Sequence, residues 1–323
     1  MKDRFKELKK LIADSENILL ATHENPDADG VSSMLAFSLY LDSIGKDHFL
    51  YTPNMPSHFI SFLPDFEKIK IELPEEKIDL VIGFDYADIK KLRLEELRYQ
   101  DYKMATLDHH PNTHKGDLDI IDANYSATTE IVYDFFKENN IRLTKDIATC
   151  IYAGIVQDTV GFSEENTTKR ILEISSELLD LGVEHVQVYK KVAGLKSIEI
   201  TRLTGLALSR FTINKETGSA YSYLSLSEII DMNVTWEDLD HIPCMLNYSD
   251  GIKFIFFLRD NEDGNIRVSF RSDVEKKYDV SRLAEHFGGG GHTYKAAARI
   301  SGGFEEVLSK ILEVAKESDF SIE

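Results

Sequence analysis

The sequence has few cysteines, and the two that it contains, Cys150 and Cys244, are far apart in the chain. Their separation is unlike the spacing of a disulfide framework or a zinc ribbon, so both are predicted to be reduced core residues. Long apolar runs are also missing, and none approaches the roughly 20 residues that a membrane-spanning helix needs. Residues 1–20 mix charged and apolar positions and lack the apolar centre and cleavage site of a signal peptide. These absences predict a cytoplasmic protein without membrane contact.

Basic residues are scarce relative to acidic ones: 37 Lys and Arg stand against 56 Asp and Glu, which gives a formal net charge of −19. This balance disfavours a protein that follows a long nucleic acid by neutralising many of its phosphates. It does not exclude a small phosphorylated ligand, because a few bound metal ions reverse the local electric field. A solvated acidic surface, which keeps a protein soluble, accounts for most of the charge.

The length of 323 residues, with 42% hydrophobic and 10% aromatic residues, is typical of two globular domains. In the first, predicted over residues 1–195, strands alternate with helices, which indicates an α/β fold with a mostly parallel sheet flanked by helices. A connecting helix or linker is predicted over residues 196–211. The remaining part, 212–323, is predicted to be a smaller α+β domain.

Apolar periodicity predicts the individual elements of both domains. Strands are predicted in the segments NILLATH, DHFLYT, KIKIEL, IDLVIGFD, YKMATLDHH, SAYSYLSL, GIKFIFFLRD and NIRVSFRS. Helices are predicted near the N-terminus, in the segment DVSRLAEHFG, and over about 31–44, 127–139, 145–156, 168–181, 197–211 and 304–317. A turn at 261–265 is predicted to join the last two strands.

Acidic and histidine residues cluster where predicted elements of the first domain end. The segment 23–30, HENPDADG, follows the first strand, and Asp85 ends LVIGFD. Residues 108–110 end KMATLDHH, while Asp158 closes the helical pattern IYAGIVQD. A single aspartate after a strand is usually a helix cap or a turn residue. Four such clusters at one edge of a parallel sheet indicate a ligand site, because ligands bind beyond the carboxyl ends of the strands.

Carboxylates and imidazoles without cysteine suit a divalent metal ion such as manganese or magnesium. So many acids in a small volume repel one another unless cations neutralise them. The candidate ligands exceed what one octahedral ion with open positions uses, so the sequence predicts a centre of two ions. Two ions about 3.5–4 Å apart can clamp a phosphoryl group and hold a hydroxide for in-line attack.

Five motifs follow one another along almost the whole chain: HENPDADG, GFDYAD, LDHHP, GIVQDTVGF followed by NTT, and FGGGGH. In this order they resemble the DHH phosphoesterases, and more narrowly the DHH/DHHA proteins that degrade nanoRNA or dephosphorylate pAp. DHH alone is a weak three-letter match, whereas five ordered motifs make the resemblance specific.

The resemblance implies two divalent ions, with manganese as the expected metal and magnesium as the alternative. The implied ligands of one ion are His23, Asp27 and Asp85, and those of the other are Asp29, His109 and Asp158, with Asp85 bridging both. Catalytic roles are implied for His110 and Asp108. His110 would steady a phosphate oxygen or protonate the leaving alkoxide, and Asp108 would orient a histidine ring or, alternatively, hold a loop backbone.

A glycine run before His292 suits an anion, because backbone N–H groups can approach it with no Cβ between. By itself the run is more typical of a tight turn between a helix and a strand. The resemblance implies a substrate-binding role in the second domain for Arg271, Gly289, Gly290, Gly291 and His292. The chain departs from the family after this histidine, where the usual glycine is missing and Lys295 either adds a phosphate contact or points to solvent.

Three functions stay open at this point. The first expectation is hydrolysis of short RNA and of 3′,5′-bisphosphate nucleotides such as pAp. The second is hydrolysis of signalling dinucleotides, linear pApA or cyclic di-AMP, by the same centre. The third is a nucleotide-binding regulator without catalysis, which the complete set of ligand positions disfavours. Manganese pyrophosphatases share the N-terminal motifs but lack the glycine run. Members of the family are often homodimers, although no pattern in this sequence identifies an interface.

Overall fold

The computed structural model describes residues 1–99, 101–110, 116–194, 197–230, 232, 234, 239, 241–247, 251–260, 264–318 and 320–322. They form two compact units, Met1–Leu195 and Lys196–Glu323. Each unit has its own hydrophobic core. Within the described residues, no helix is both long and apolar enough to cross a bilayer.

The first unit is built on a five-stranded sheet in which every neighbouring pair of strands is parallel. Its strands are β1 (Ile18–Thr22), β2 (His48–Tyr51), β3 (Leu80–Phe84), β4 (Lys103–Asp108) and β5 (Leu118–Ile121). Their order across the sheet is β2-β1-β3-β4-β5. Strands β1 and β3 are buried at every position, which explains their unbroken apolar sequences.

Helices cover this sheet and carry part of the site. They are α1 (Lys2–Asp14), α2 (Ala28–Ser43), α3 (Thr128–Glu138), α4 (Lys145–Asp158), α5 (Lys169–Asp180) and α6 (His185–Tyr189). Phe37 of α2 lies with its ring centroid 5.1 Å from that of Phe84 on β3 and 5.0 Å from that of Phe135 on α3. These aromatic contacts fix α2 against the sheet and against α3. The predicted α/β fold with a parallel sheet flanked by helices is confirmed.

The second unit contains a mixed sheet of order β10-β11-β9-β8-β7-β6, in which only β7 and β8 pair in parallel among the described strands. Its strands are β6 (Thr212–Asn214), β7 (Ser219–Leu224), β8 (Phe254–Asp260), β9 (Asn265–Arg271), β10 (Gly290–His292) and β11 (Lys295–Ser301). Its helices are α7 (Ile198–Ser209), α8 (Leu226–Ile229), α9 (His241–Asn247), α10 (Val280–His286) and α11 (Phe304–Glu317). The prediction of a smaller α+β domain is confirmed.

Helix α7 occupies the segment for which a connector was predicted. Its residues Ile200, Leu203 and Ala207 are buried in a cluster that also contains Ala220 of β7 and Phe257 of β8. The segment between the predicted domains therefore contributes a helix to a core of the second unit.

The strand prediction for KIKIEL is wrong. The segment begins in a 3-10 turn at Phe66–Lys68, and only Lys70 forms a bridge, to Tyr51. Ile69 is buried but Ile71 is 47% exposed, so only one of the two isoleucines in the alternating pattern packs into the core. Strand β5 was not predicted, because four residues that alternate between buried and partly buried do not stand out in the sequence. The predicted turn at 261–265 lies largely outside the described residues.

Candidate metal centre

The carboxyl ends of three neighbouring strands position the centre of the site. His23 directly follows β1, Asp85 follows β3 and His109 follows β4. Because these strands are adjacent and parallel, their carboxyl ends meet at one edge of the sheet. The start of α2 and the last residue of α4, Asp158, add further acids. Residues distant in sequence therefore converge on one small volume.

The structure brings all six predicted metal ligands into two groups. Within each group, one ligand atom from every residue lies within 4.8 Å of the others. The groups are His23, Asp27 and Asp85, and Asp29, His109 and Asp158. The Asp85 carboxylate reaches both, with Oδ2 4.0 Å from His23 Nε2 and Oδ1 3.5 Å from His109 Nε2. A carboxylate in this position can serve two ions at once.

Both predicted histidine ligands present the same ring nitrogen to the acids. His23 Nδ1 lies 2.8 Å from the carbonyl oxygen of Glu24, and His109 Nδ1 lies 3.3 Å from that of Tyr125. When each Nδ1 carries the proton and donates it to this carbonyl, Nε2 keeps its lone pair. His109 Nε2 lies 3.0 Å from Asp158 Oδ2. The carbonyls therefore favour the tautomer that a metal ion requires.

The acids at the start of α2 are held by backbone N–H groups at two helix N-termini. Asp27 caps α2, and its Oδ1 accepts hydrogen bonds from the N–H groups of Asp29 at 3.0 Å and Gly30 at 3.1 Å. Asp29 is fully buried and accepts hydrogen bonds from the N–H groups of Thr128 at 2.6 Å and Thr129 at 3.0 Å, at the start of α3. The positive ends of both helix dipoles favour the charged carboxylates.

Burial and mutual repulsion nevertheless raise the pKa values of the central acids. Burial raises the pKa of Asp29 well above its usual range, and the charges of Asp158 and Asp85 add to this effect. Burial raises the pKa of Asp158 to about 6 and also raises that of Asp85. Burial lowers the pKa of His109, but its hydrogen bond to Asp158 and the nearby carboxylates outweigh this and raise it to about 9.

This donor set fits divalent metal ions. Buried carboxylates that repel one another are stabilised by a nearby cation. Carboxylate oxygens and neutral imidazole nitrogens are ligands that manganese and magnesium accept, and two groups of three leave coordination positions open for a substrate. The residues present could therefore hold two ions.

The second histidine of the pair, His110, is held by acids. Its Nδ1 lies 2.8 Å from Asp108 Oδ1 and 3.2 Å from Asp85 Oδ1, and its side chain is 44% exposed. Hydrogen bonds to these two carboxylates raise the pKa of His110 to about 10. Asp108 also accepts hydrogen bonds from the N–H groups of Tyr86 and Ala87, both at 2.9 Å. Asp108 thus holds a loop backbone and orients the His110 ring.

Two family models match the chain. The model of the DHH family, N-terminal domain, matches residues 17–155, and that of the DHHA1 domain matches residues 217–318. The chain belongs to the DHH/DHHA1 family. The five ordered motifs identified this family from the sequence, and the resemblance is confirmed.

Similar proteins extend the match over most of the chain. NrnA of Bacillus subtilis, named a bifunctional oligoribonuclease and PAP phosphatase, is 29% identical over 300 residues, covering 91% of this chain and 92% of that protein. GdpP of Geobacillus thermodenitrificans, named a cyclic-di-AMP phosphodiesterase, is 26% identical over 318 residues, covering 91% of this chain and 46% of that protein. The crystal structure of an exopolyphosphatase-related protein from Bacteroides fragilis has a TM-score of 0.87 at 25% identity, covering 98% of this chain and 96% of that one.

In the DHHA1 domain, part of the glycine run forms the edge strand β10, which differs from the tight turn that the run alone suggests. A Cβ on Gly289 would lie 2.2 Å from the carbonyl oxygen of Ala297, so the close approach of the two backbones requires glycine. His292 on β10 is paired with Lys295 on β11, which is paired in turn with Arg271 on β9. The register therefore brings two basic residues and a histidine side by side at one end of the sheet.

Sequence reasoning assigned no role to three residues around the DHH ligands, two that donate hydrogen bonds to them and one that leaves space for them. Thr128 Oγ1 donates to Asp85 Oδ1 at 3.0 Å, and Thr129 Oγ1 donates to Asp29 Oδ1 at 2.7 Å. A Cβ on Gly154 of α4 would lie 2.4 Å from Asp29 Oδ1, so only glycine leaves room there. The available signals were a Thr-Thr-Glu helix start and, for Gly154, its place as the first residue of the motif GIVQDTVGF, and neither assigns a role by itself.

Proposed function

We propose that this chain is a two-metal phosphoesterase that hydrolyses short RNA oligonucleotides and 3′,5′-bisphosphate nucleotides such as pAp. The observation that carries the proposal is the pair of ligand groups beside one shared carboxylate, Asp85. The activities in the name of the Bacillus subtilis relative support the substrate class. The net charge of −19 agrees with short substrates rather than long polymers.

The proposed cofactors are two manganese ions, with magnesium as the alternative. Their proposed ligands are His23, Asp27 and Asp85 for one ion and Asp29, His109, Asp158 and the shared Asp85 for the other. When bound, such a pair polarises a phosphoryl group and supplies a nucleophile at neutral pH. The chain's own contribution is orientation, because backbone carbonyls fix the two imidazole rings and backbone N–H groups fix the acids of α2.

His110 is the proposed proton donor to the leaving oxygen. The hydrogen bonds to Asp108 and Asp85 raise the pKa of His110 and so favour the protonated imidazole, and Asp108 holds the Nδ1 side of the ring. The partly exposed ring stays accessible to a substrate. A protonated ring beside the ligand groups also attracts a phosphate oxygen. The His110 side chain can therefore both position the phosphate and transfer the proton.

The DHHA1 domain is proposed to bind the part of the substrate that is not cleaved. The residues assigned to this role are Arg271, Gly289, Gly290, Gly291 and His292. Arginine suits a phosphate through its fork of donors, and the glycines expose backbone N–H groups. Lys295 is exposed and is paired with both His292 and Arg271, so we add it as a phosphate contact.

Hydrolysis of signalling dinucleotides, linear pApA or cyclic di-AMP, is the second candidate function. The name of the Geobacillus thermodenitrificans relative favours it. The same ligand groups would perform both reactions, since each cleaves a phosphoester bond to a sugar oxygen.

Product analysis with Mn²⁺ on one matched panel distinguishes the candidates: pAp, pApA, cyclic di-AMP, an RNA of a few nucleotides, and pyrophosphate. Release of mononucleotides from pApA and the short RNA, together with cleavage of pAp, is the expected result. Strong preference for the dinucleotides with the RNA left intact would favour the second candidate. No turnover of any compound would contradict both and favour a regulator.

A cytoplasmic location and a homodimeric assembly are further parts of the proposal. Cell fractionation tests the first, and light scattering tests the second.

A further inference from the structure

The segment 125–130, at the start of α3, contacts Asp29 and His109 of one ligand group, and its Thr128 hydroxyl also donates to the shared Asp85 at 3.0 Å. The carbonyl oxygen of Tyr125 lies 3.3 Å from His109 Nδ1. The hydroxyl of Thr129 lies 2.7 Å from Asp29 Oδ1, and its N–H group donates to the same oxygen at 3.0 Å. The position of this segment therefore determines how the His109 ring and the Asp29 carboxylate are presented to a metal ion.

Arg170 of α5 holds this segment from the outside. Its Nη1 donates to Glu130 Oε1 at 2.8 Å, and its Nη2 pairs with Asp134. Its guanidinium carbon lies 5.4 Å from the centroid of the Tyr125 ring. The Tyr125 hydroxyl donates to Asp134 Oδ2 at 2.7 Å, and Glu130 Oε2 accepts from the N–H group of Ser126 at 2.8 Å. The Arg170 guanidinium thus contacts both ends of the segment, Tyr125 and Glu130.

The contact between Arg170 and Glu130 differs from an ordinary surface ion pair. Glu130 is only 3% exposed, so its carboxylate depends on the guanidinium and on the Ser126 N–H group for compensation. Removing one partner of a buried pair leaves an uncompensated charge, which disturbs the surrounding structure. The Arg170 side chain is itself 45% exposed, so its replacement opens no cavity in the core. Arg170 can therefore be changed to test the segment without removing core packing.

We propose that Arg170 is a positioning residue for the metal ion held by Asp29, His109 and Asp158. It acts through Tyr125 and Glu130 and touches neither metal nor substrate. The inference rests on the proposed function, because it requires that this group binds a metal. Partners that orient a metal-bound histidine usually change metal affinity by about 10–100-fold when they are lost. His23 and Asp27, the two ligands of the other ion alone, make no contact with Arg170 or its acidic partners among the described residues, and only the shared Asp85 contacts the segment, through Thr128.

Mn²⁺ titration of Arg170→Met by calorimetry, with free Mn²⁺ followed by electron paramagnetic resonance, tests this role. Methionine resembles the aliphatic part of the arginine side chain and removes its charge and donors. We expect the Mn²⁺ site of Asp29 and His109 to weaken by about 10–100-fold and the other site to change much less. Arg170→Lys should recover only part of the loss, because an ammonium group does not reproduce the fork between Glu130 and Asp134.

Lys169→Met is the matched control on the same helix. The Lys169 side chain is 90% exposed and pairs with Glu173 at 3.2 Å, so this variant should bind both ions like the parent chain. If the parent chain itself fails to bind two Mn²⁺ ions, the proposed function fails. If the parent binds two and Arg170→Met binds both with unchanged affinity, the positioning role is overturned. An equal loss at both sites together with a lower melting temperature would also overturn it, since that is the result of a purely structural residue.

Discussion

Asp85 adopts a left-handed backbone conformation, with φ at 52°, directly after β3. Non-glycine residues seldom adopt this conformation, and asparagine and aspartate do so most readily. Asparagine can therefore keep the loop geometry while removing the charge that both ligand groups share. This makes Asp85→Asn the mildest change that tests the shared carboxylate.

We expect Asp85→Asn to reduce kcat by more than about 100-fold. Loss of a residue that only orients a metal ligand usually reduces metal affinity or activity by about 10–100-fold, and Asp85 is proposed to be a ligand itself. Mn²⁺ per chain, measured by mass spectrometry, should fall, while the circular dichroism spectrum stays unchanged. Asp101→Asn, at an exposed aspartate, is the control and should retain activity and metal. Full metal content and normal turnover in Asp85→Asn would rule out a shared ligand at this position.

Gly154 is the residue whose substitution tests packing around Asp29. An added Cβ would lie 2.4 Å from Asp29 Oδ1 and from the Thr129 side chain, so Gly154→Ala should lower the free energy of unfolding by about 1–3 kcal/mol. It should also weaken Mn²⁺ binding, because Asp29 must move. Gly205→Ala in α7 is the control, since nothing lies within 4 Å of its added Cβ. Urea denaturation of both variants measures the difference, and equal stability would show that the contact with Asp29 is not restrictive.

Among the elements, those with continuous apolar patterns could be predicted from the sequence. The segments NILLATH and IDLVIGFD contain β1 and β3, because a strand buried on both faces needs an apolar residue at every position. KIKIEL has a strand-like alternation, but only one residue of it pairs with the neighbouring strand β2. An alternating pattern shows that a segment favours the strand conformation. It does not show whether another strand pairs with the segment along its length.

The candidate site was predictable to the extent that its residues follow predicted elements. Three of the ligands come directly after adjacent strands, and parallel strands present such residues at a common edge. The threonines at the start of α3 could not be predicted in the same way. Asp29 and Thr128 are 99 positions apart, and no local pattern encodes a contact of that range. The contacts of Arg170 with Tyr125, Glu130 and Asp134 could not be predicted from the sequence for the same reason.

Helices α7 and α8 of the second unit are joined by an ion pair with good geometry. Arg210, which follows α7, donates through Nη1 and Nη2 to both oxygens of Glu228 at 2.9 and 2.5 Å. Glu228 also accepts a hydrogen bond from the N–H group of Ser225 at 2.8 Å. The hydrogen bond from Arg210 is the main cause that lowers the pKa of Glu228 to about 2. A two-pronged pair of this kind stabilises more than a single exposed contact.

The stability that this pair provides should depend on pH. A lowered folded-state pKa means that the contribution is complete above the ordinary glutamate value and is lost as the pH falls towards 2. Glu228→Gln should therefore lower the free energy of unfolding by about 2 kcal/mol at pH 7, and the difference from the parent should shrink between pH 5 and 3. Glu216→Gln, in an exposed pair with Lys316, is the control and should change little. A difference that stays constant over this pH range would contradict the prediction.

Across the whole molecule, the two units carry different parts of the proposed function. All six candidate metal ligands lie in the first unit, and the proposed substrate contacts around the glycine run lie in the second. The sequence indicated this division because each of the five motifs is local. It could not give the register that places Lys295 beside Arg271, because β9 and β11 are separated in sequence by a helix and a further strand.

Anomalous diffraction at the manganese edge, on crystals grown with Mn²⁺, would locate the metal ions themselves. A two-metal centre should give two peaks about 3.5–4 Å apart, with the Asp85 carboxylate between them. One peak should lie among His23, Asp27 and Asp85, and the other among Asp29, His109 and Asp158. A single peak, or peaks that leave Asp85 without a metal contact, would contradict a two-metal phosphoesterase.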